Sequence, residues 1–222
     1  KNQVNVMPLP SRYPQGAEKV LVHQTTGRVI PEGKLPSDVG VLVMNVGTVI
    51  KLAEYVKTGL PLTSRMVTVD GGAVAEPKNV WVPIGTKLED IINFCGGYKG
   101  EPAEIILGGP MMGKAVSNID SPISKGCSGI VILDEKHAHR GAIEPCIRCG
   151  KCVSACPMGL EPFLLAKLSQ NHLFDRAERE LITSCLECGC CSYSCPSNRP
   201  ILDYIRVGKN AVNRIIRSRK QS

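Results

Sequence analysis

Two cysteine runs constrain this chain more than any other feature. C-I-R-C-G-K-C-V-S-A-C-P occupies residues 146–157 and C-L-E-C-G-C-C-S-Y-S-C-P occupies residues 185–196. Both read C-x2-C-x2-C-x3-C-P, and they hold eight of the eleven cysteines. Three thiolates at i, i+3 and i+6 on a tight loop can grip three irons of one cubane, while the fourth, followed by Pro, points away. In two-cluster ferredoxins that fourth Cys ligates the other cluster. The spacing therefore predicts two [4Fe–4S] clusters with crossed ligand sets. Cluster one takes Cys146, Cys149, Cys152 and Cys195; cluster two takes Cys185, Cys188, Cys191 and Cys156. Crossed ligation forces the runs together, and such a pair moves single electrons. Structural zinc sites use pairs of short knuckles rather than this duplicated run. Disulfides suit small secreted chains.

The chain has 222 residues, enough for one or two domains with a core. No run approaches the roughly 18 apolar residues of a membrane span. No basic start followed by an apolar core marks a signal peptide. Thiolate-rich sites without a leader predict a reducing, cytoplasmic setting. The chain opens Lys1-Asn2 without Met, within a strand-like segment, so a fragment lacking its N-terminal part is expected. The net charge of +7 is uneven: Arg199, Arg206, Lys209, Arg214, Arg217, Arg219 and Lys220 crowd the C-terminal end, opposed there by Asp203. No stacking aromatics are interleaved with them, which argues against nucleic acid. A basic, partly apolar helix suits an acidic protein partner or a lipid surface; the competing reading is a solvated face.

Along the chain, residues 1–9 alternate like a strand, Tyr13 to Lys19 is a Gly/Pro-marked turn, and Val20 to His23 continues as a short apolar run. Residues 25–40 read as loop, and Val41 to Val43 as a short buried strand. Asn45 is a helix N-cap, with Val49, Leu52, Ala53 and Val56 as an apolar stripe and Gly59 as the stop. Val67 and Val69, then Val80 and Val82, alternate as strands, and a short helix spans residues 88–94. Residues 105–107 and 130–133 are further strands, and residues 134–144 a polar linker. Helices are expected over residues 162–170, 174–182 and 200–217, with Pro200 at the first helical position. Each Cys loop is followed by a helix, an internal duplication of about 39 residues (Cys146 to Cys185).

Outside the ligand sets, Cys190 reads as a spare small residue and Cys95 as core. Cys127, ahead of a strand, reads as packing, with cofactor contact as the alternative. His137-x-His139 reads as a surface pair, and Gly108 to Gly113 as a tight connection or a phosphate cradle. Arg148 and Lys151 sit beside cluster one and Glu187 in the matching loop of cluster two. Cationic neighbours favour the more negative reduced cluster, so cluster one is expected to be the easier to reduce.

Tyr13 to Lys19, Asn45-Val46-Gly47-Thr48, Gly108 to Gly113 and the two Cys runs, in one order across the whole chain, resemble the C subunit of the Rnf (Rsx) electron transport complex. The resemblance implies α/β structure with a β-grasp (soluble-ligand-binding) module, then a mainly α-helical two-cluster ferredoxin-like domain. The implied divisions are 1–65 as the C-terminal part of an FMN/NADH-binding domain, 66–133 as the β-grasp module and its connection, and 134–222 as the cluster domain. Members sit peripherally on the cytoplasmic face of the bacterial inner membrane with other subunits, including a ferredoxin-like one. They exchange electrons between ferredoxin and NAD while Na+ or H+ is pumped. A related NADH-oxidising subunit of respiratory complex I implies FMN and NAD(H) contacts at Gly16, Glu18, Asn45 and Thr48. Ala17 and Met44 depart from that relative's pocket, and the family's Gly-rich flavin loop lies upstream of this segment. A corrin (cobalamin) reductase of the same architecture and a docking module with structural clusters are the rival readings.

Overall fold

The computed structural model describes residues 4–221. The chain divides into two compact units: residues up to Val43 together with those from Ala142 onward, and Met44–Gly141 between them.

The inserted unit is built on a five-stranded mixed sheet of order β2-β1-β5-β3-β4. Its strands are β1 (Ser64–Asp70), β2 (Lys78–Pro83), β3 (Glu104–Leu107), β4 (Lys114–Val116) and β5 (Gly129–Leu133). β1 pairs parallel with β5; the other pairings are antiparallel. Period-two alternation sends Val67, Val69, Val80, Val82, Ile130 and Ile132 to one face. The register sets Val67 opposite Val80, Val69 opposite Ile130 and Ile105 opposite Ile132. The helix α3 (Leu88–Phe94) buries Leu88, Ile91 and Ile92 in the same core. Cys95 and Cys127 lie in it too, and the Cys127 thiol donates to the Gly129 carbonyl at 3.3 Å. Burial raises the pKa of both thiols. Both are packing residues. On the opposite face Met66 and Trp81 pair across the strands half-exposed.

The helix α2 (Val46–Thr58) starts and stops where the sequence puts it. The Asn45 side chain accepts from Gly47 N at 2.9 Å, and Gly59 closes the helix in the left-handed conformation. Its stripe is not buried: Val49 and Leu52 are half-exposed and Val56 is 79% exposed. The Lys51 ammonium stands 4.9 Å from the Trp81 ring centre. The expected polar linker contains a turn of helix, α4 (Glu135–Ala138), capped by Asp134.

The other unit opens with irregular chain over residues 4–12, so the expected strand does not form among the described residues. Val4 and Val6 are 86% and 88% exposed, and no described strand covers them. The helix α1 (Glu18–Thr26) lies where the sequence reads as a turn and a short apolar run; it buries only Val22 and ends at Gly27. Residues 41–43 are also not a strand, and Leu42 is 80% exposed. Arg28 instead holds this region as a loop by donating to the Val39 and Gly40 carbonyls.

From Ala142 the regular structure is helical: α5 (Lys151–Ser154), α6 (Pro162–Gln170), α7 (Phe174–Arg179), α8 (Cys190–Tyr193) and α9 (Ile201–Arg219). Along α9, Ile201, Ile205, Gly208 and Val212 recur at helical spacing and are buried. They meet Leu165, Ala166 and Leu168 of α6 and Ala177 of α7 in one core. Each fully buried Leu, Ile or Val there contributes about 1.5–3 kcal/mol. The α6–α9 crossing is close because Gly208 has no side chain: a Cβ there would lie 2.7 Å from Ser169 Cβ.

Candidate metal centre

The duplication in the sequence is repeated in the backbone. Arg148 and Glu187 both take the left-handed conformation (φ 54° and 56°), as do Gly150 and Gly189 (φ 74° and 82°). Gly150 and Gly189 then cap the short helices α5 and α8, which carry the third cysteine of each run. A left-handed non-glycine residue costs on the order of 1–3 kcal/mol and persists where the surroundings impose it. Here it turns each C-x2-C so that its thiols share one side. In the second loop the Glu187 amide donates to Cys185 Sγ at 3.3 Å.

The fold sorts the thiols into two sets. Cys146, Cys149, Cys152 and Cys195 line one hollow of about 840 Å³, floored by Phe163, Leu164 and Ile201. Cys156, Cys185, Cys188 and Cys191 surround a second, tight hollow of about 20 Å³, together with Cys190. The fourth cysteine of each run thus faces the three leading cysteines of the other. Among the described residues no three His, Cys, Asp or Glu side chains converge tightly enough to hold a single ion. The donor set is all thiol, soft sulfur ligands in fours, which is the chemistry of a [4Fe–4S] cluster; the first hollow has room for one, whereas the second set closes to about 20 Å³ and would have to open to take a cube.

Burial raises the thiol pKa values. Cys152 and Cys185 are pushed up by burial, and Cys191 to about 12 by burial and then by the neighbouring Cys185. Cys190 is pushed up to about 11, by burial first and then by its contact with Cys188. Ligand thiols must be deprotonated, so metal binding here releases protons.

The surroundings of the two sets differ, and Glu187 in the second loop is ion-paired. Its carboxylate accepts from Lys209 Nζ at 2.9 Å and from Arg206 Nε at 3.3 Å, both on α9. Lys209 also donates to the Cys185 carbonyl at 2.7 Å. The second loop is therefore not the acidic one: Glu187 is outnumbered by two cations. Arg148, Lys167 and Arg199 line the first hollow without a carboxylate, so the first set keeps its cationic surroundings. In the sequence Arg206 and Lys209 read only as members of a C-terminal basic block, with nothing to pair them with a loop some twenty residues upstream. Arg219, likewise, reaches Asp175 and Glu178 on α7.

Tyr13, legible in the sequence only as part of a turn, reaches the second loop. Its hydroxyl donates to the Cys188 carbonyl at 2.6 Å. Its pKa is raised to about 12 by burial and then by Cys188 and Cys190. Arg12 to Ile30 wall one side of a further groove that reaches Ser154 to Met158, including Cys156. The N-terminal segment thus lies against the second thiol set. Of the expected flavin residues, Gly16 and Glu18 belong to this unit, Glu18 opening α1. Asn45 and Thr48 belong to the inserted unit at the start of α2, where the Asn45 side chain is engaged as a cap.

Three domain families match in order. Residues 1–54 match the Nuo51 FMN-binding domain, residues 66–115 the SLBB domain, and residues 145–199 the 4Fe-4S dicluster domain. The chain is 52% identical over 178 residues to the C subunit of the proton-translocating ferredoxin:NAD(+) oxidoreductase complex of Clostridium ljungdahlii, covering 80% of this chain and 39% of that protein. It is 45% identical over 211 residues to the C subunit of the Na(+)-translocating ferredoxin:NAD(+) oxidoreductase complex of Acetobacterium woodii, covering 95% and 48%. Against the C subunit of the ion-translocating oxidoreductase complex of Haemophilus influenzae (strain PittEE), identity is 37% over 222 residues, covering 100% and 34%. The chain spans less than half the length of these relatives. Over its own length the chain is thus similar to the C subunits of ion-translocating ferredoxin:NAD(+) oxidoreductase complexes, with three of their domain families in the same order.

Proposed function

We propose that this segment is the cluster-bearing part of an electron-transfer subunit in a membrane-bound ferredoxin:NAD oxidoreductase complex that couples electron flow to Na+ or H+ translocation. The observation that carries it is the sorting of eight cysteines into two crossed sets of four. Cys146, Cys149, Cys152 and Cys195 hold one [4Fe–4S] cluster, and Cys185, Cys188, Cys191 and Cys156 the other. When bound, FMN would supply the conversion between hydride and single-electron chemistry, and each cluster would supply a one-electron site. Gly16 and Glu18, with Asn45 and Thr48, are the flavin and nicotinamide contacts this segment supplies. The space above Gly16 is open, since a Cβ there would meet nothing within 4 Å, which leaves its backbone accessible to a ligand.

By ancestry the segment divides into 1–65, 66–133 and 134–222. The middle part is a β-grasp module, supported by the mixed sheet with β1 and β5 parallel at its centre. The last part is a helical two-cluster domain. No described helix is long and apolar enough to cross a membrane. The protein sits peripherally on the cytoplasmic face of the inner membrane, held by the complex's other subunits, its ferredoxin-like subunit among them. Nucleic acid is not a partner.

Anaerobic reconstitution followed by iron and sulfide analysis and electron paramagnetic resonance (EPR) tests this reading. It predicts roughly eight irons and eight sulfides per chain and two reducible [4Fe–4S] signals. With the full-length protein, NADH reduces both signals and added FMN accelerates the reduction. Stoichiometric zinc in place of iron, or clusters that no reductant reaches, would overturn it.

A further inference from the structure

The second thiol set holds one sulfur more than a cube can use. A [4Fe–4S] cluster takes one thiolate per iron. The second hollow is lined by Cys156, Cys185, Cys188 and Cys191 and also by Cys190. The first is lined by its own set of Cys146, Cys149, Cys152 and Cys195 and by no further cysteine.

The duplicated loops show where the surplus arises. Gly150 and Gly189 take the same left-handed turn and open helices of 4 residues each, α5 and α8. The residue after the glycine is Lys151 in the first loop and Cys190 in the second. Lys151 is exposed and does not line the first hollow. Cys190 is half-buried; its thiol contacts Cys188 and lies near enough to Cys156 to feel its charge. Successive residues on a helix lie about 100° apart, so Cys190 and Cys191 serve different corners of the hollow. Of the neighbouring thiols, Cys191 interacts most strongly with Cys185, and Cys190 with Cys188. The Tyr13 hydroxyl holds this loop through the Cys188 carbonyl at 2.6 Å. That bond uses the Cys188 backbone, so it survives loss of the Cys188 thiol and leaves Cys190 in place.

We propose that Cys190 is a reserve ligand of the second site, binding the iron otherwise held by Cys188. The inference rests on the reading that the second set holds a [4Fe–4S] cluster. The exchange is balanced. Cys190 gives up its proton and its sulfur bonds to the iron; the bond from that iron to Cys188 breaks, and the Cys188 sulfur takes up a proton. No electron moves. The first site has no such reserve, since Lys151 carries no sulfur.

Cys188→Ala and Cys149→Ala test this, because the two cysteines hold matching positions in the two runs. Both chains, and Cys188→Ala/Cys190→Ala, are reconstituted anaerobically, analysed for iron and examined by EPR in oxidised and reduced states. Cys149→Ala leaves its site three thiolates, so it should give an oxidised three-iron signal and about seven irons per chain in place of about eight. Cys188→Ala should keep about eight irons and a reducible four-iron signal at the second site, with a shifted midpoint potential. Adding Cys190→Ala should remove the fourth iron and convert that signal to the three-iron type. The signal of the untouched site reports folding. Where the alanine chain does not fold, Cys188→Ser with and without Cys190→Ala gives the same comparison. A three-iron second site in Cys188→Ala, or an intact four-iron one in the double variant, would overturn the proposal. Absence of a second-site signal in the wild type would instead defeat the cluster assignment itself.

Discussion

Replacing Gly208 with alanine should loosen the crossing on which both thiol sets depend. Gly208 sits on the buried face of α9, opposite Ser169 of α6. An added Cβ would stand 2.7 Å from Ser169 Cβ and 3.0 Å from Ile182 Cδ1, with Ser169 Oγ closer still. Overpacking of this kind costs about 1–3 kcal/mol. Alanine regains about 1 kcal/mol of helix propensity. The Ser169 hydroxyl donates to the Leu165 carbonyl at 2.8 Å; displacing it strands a buried hydroxyl, worth about 1–3 kcal/mol more. The net loss is about 1–5 kcal/mol, centred near 3, a fall of about 2–20 °C in Tm for a chain of this size. Thermal unfolding of the cluster-loaded protein, followed by circular dichroism and by cluster absorbance, measures it. Ser169→Gly, which removes both clashing atoms, should recover most of the loss in the double variant. A Gly208→Ala protein as stable as wild type, or no recovery in the double variant, would refute the close crossing.

Tyr13→Phe deletes the hydroxyl bound to the Cys188 carbonyl and should cost about 0.5–1.5 kcal/mol. Amide exchange should then quicken over residues 185–191 and stay unchanged over 146–152. Lys209→Gln removes the cation that ties Glu187 to the Cys185 carbonyl, so the cluster-two midpoint should move to more negative potential while cluster one holds; a redox titration followed by EPR decides. The Asp134 carboxyl is held below the usual carboxylate range by the backbone N–H of His137 and then by its ring. Its support of α4 is full above the unfolded carboxylate pKa of about 3.9 and is lost as pH falls through the lower folded value. Amide exchange in α4 should quicken over that window, and Asp134→Asn should abolish the dependence.

What the sequence made legible was local and periodic. The alternation at Val67, Val69, Val80 and Val82, the Asn45 cap and Gly59 stop, and the 162–170 helix are all present in the fold. The loop geometry follows the run itself, since the repeated spacing brings a left-handed residue at Arg148 and again at Glu187. The failures lie where tertiary context decides. Residues 4–9 alternate but pair with no described strand. Val41 to Val43 is apolar without being covered, since Arg28 fixes the neighbouring carbonyls as a loop. The α1 helix was hidden by a short apolar run flanked by turn residues. β4 is three residues long and takes its form from pairing with β3. The ion pairs of Glu187 stay hidden for the same reason, since its partners are 19 and 22 residues away on α9.

The crossed ligand sets are the centre of this account, and paired single-cysteine variants test them most directly. Cys195→Ala and Cys156→Ala are reconstituted anaerobically and compared with wild type by EPR and redox titration. Cys195 belongs to the second run but lines the first hollow, and Cys156 the reverse. Cys195→Ala should therefore alter the same signal as Cys146→Ala and leave the other intact, and Cys156→Ala should alter the same signal as Cys185→Ala. If Cys195→Ala instead perturbs the signal that Cys185→Ala perturbs, each run holds its own cluster and the crossed arrangement is wrong.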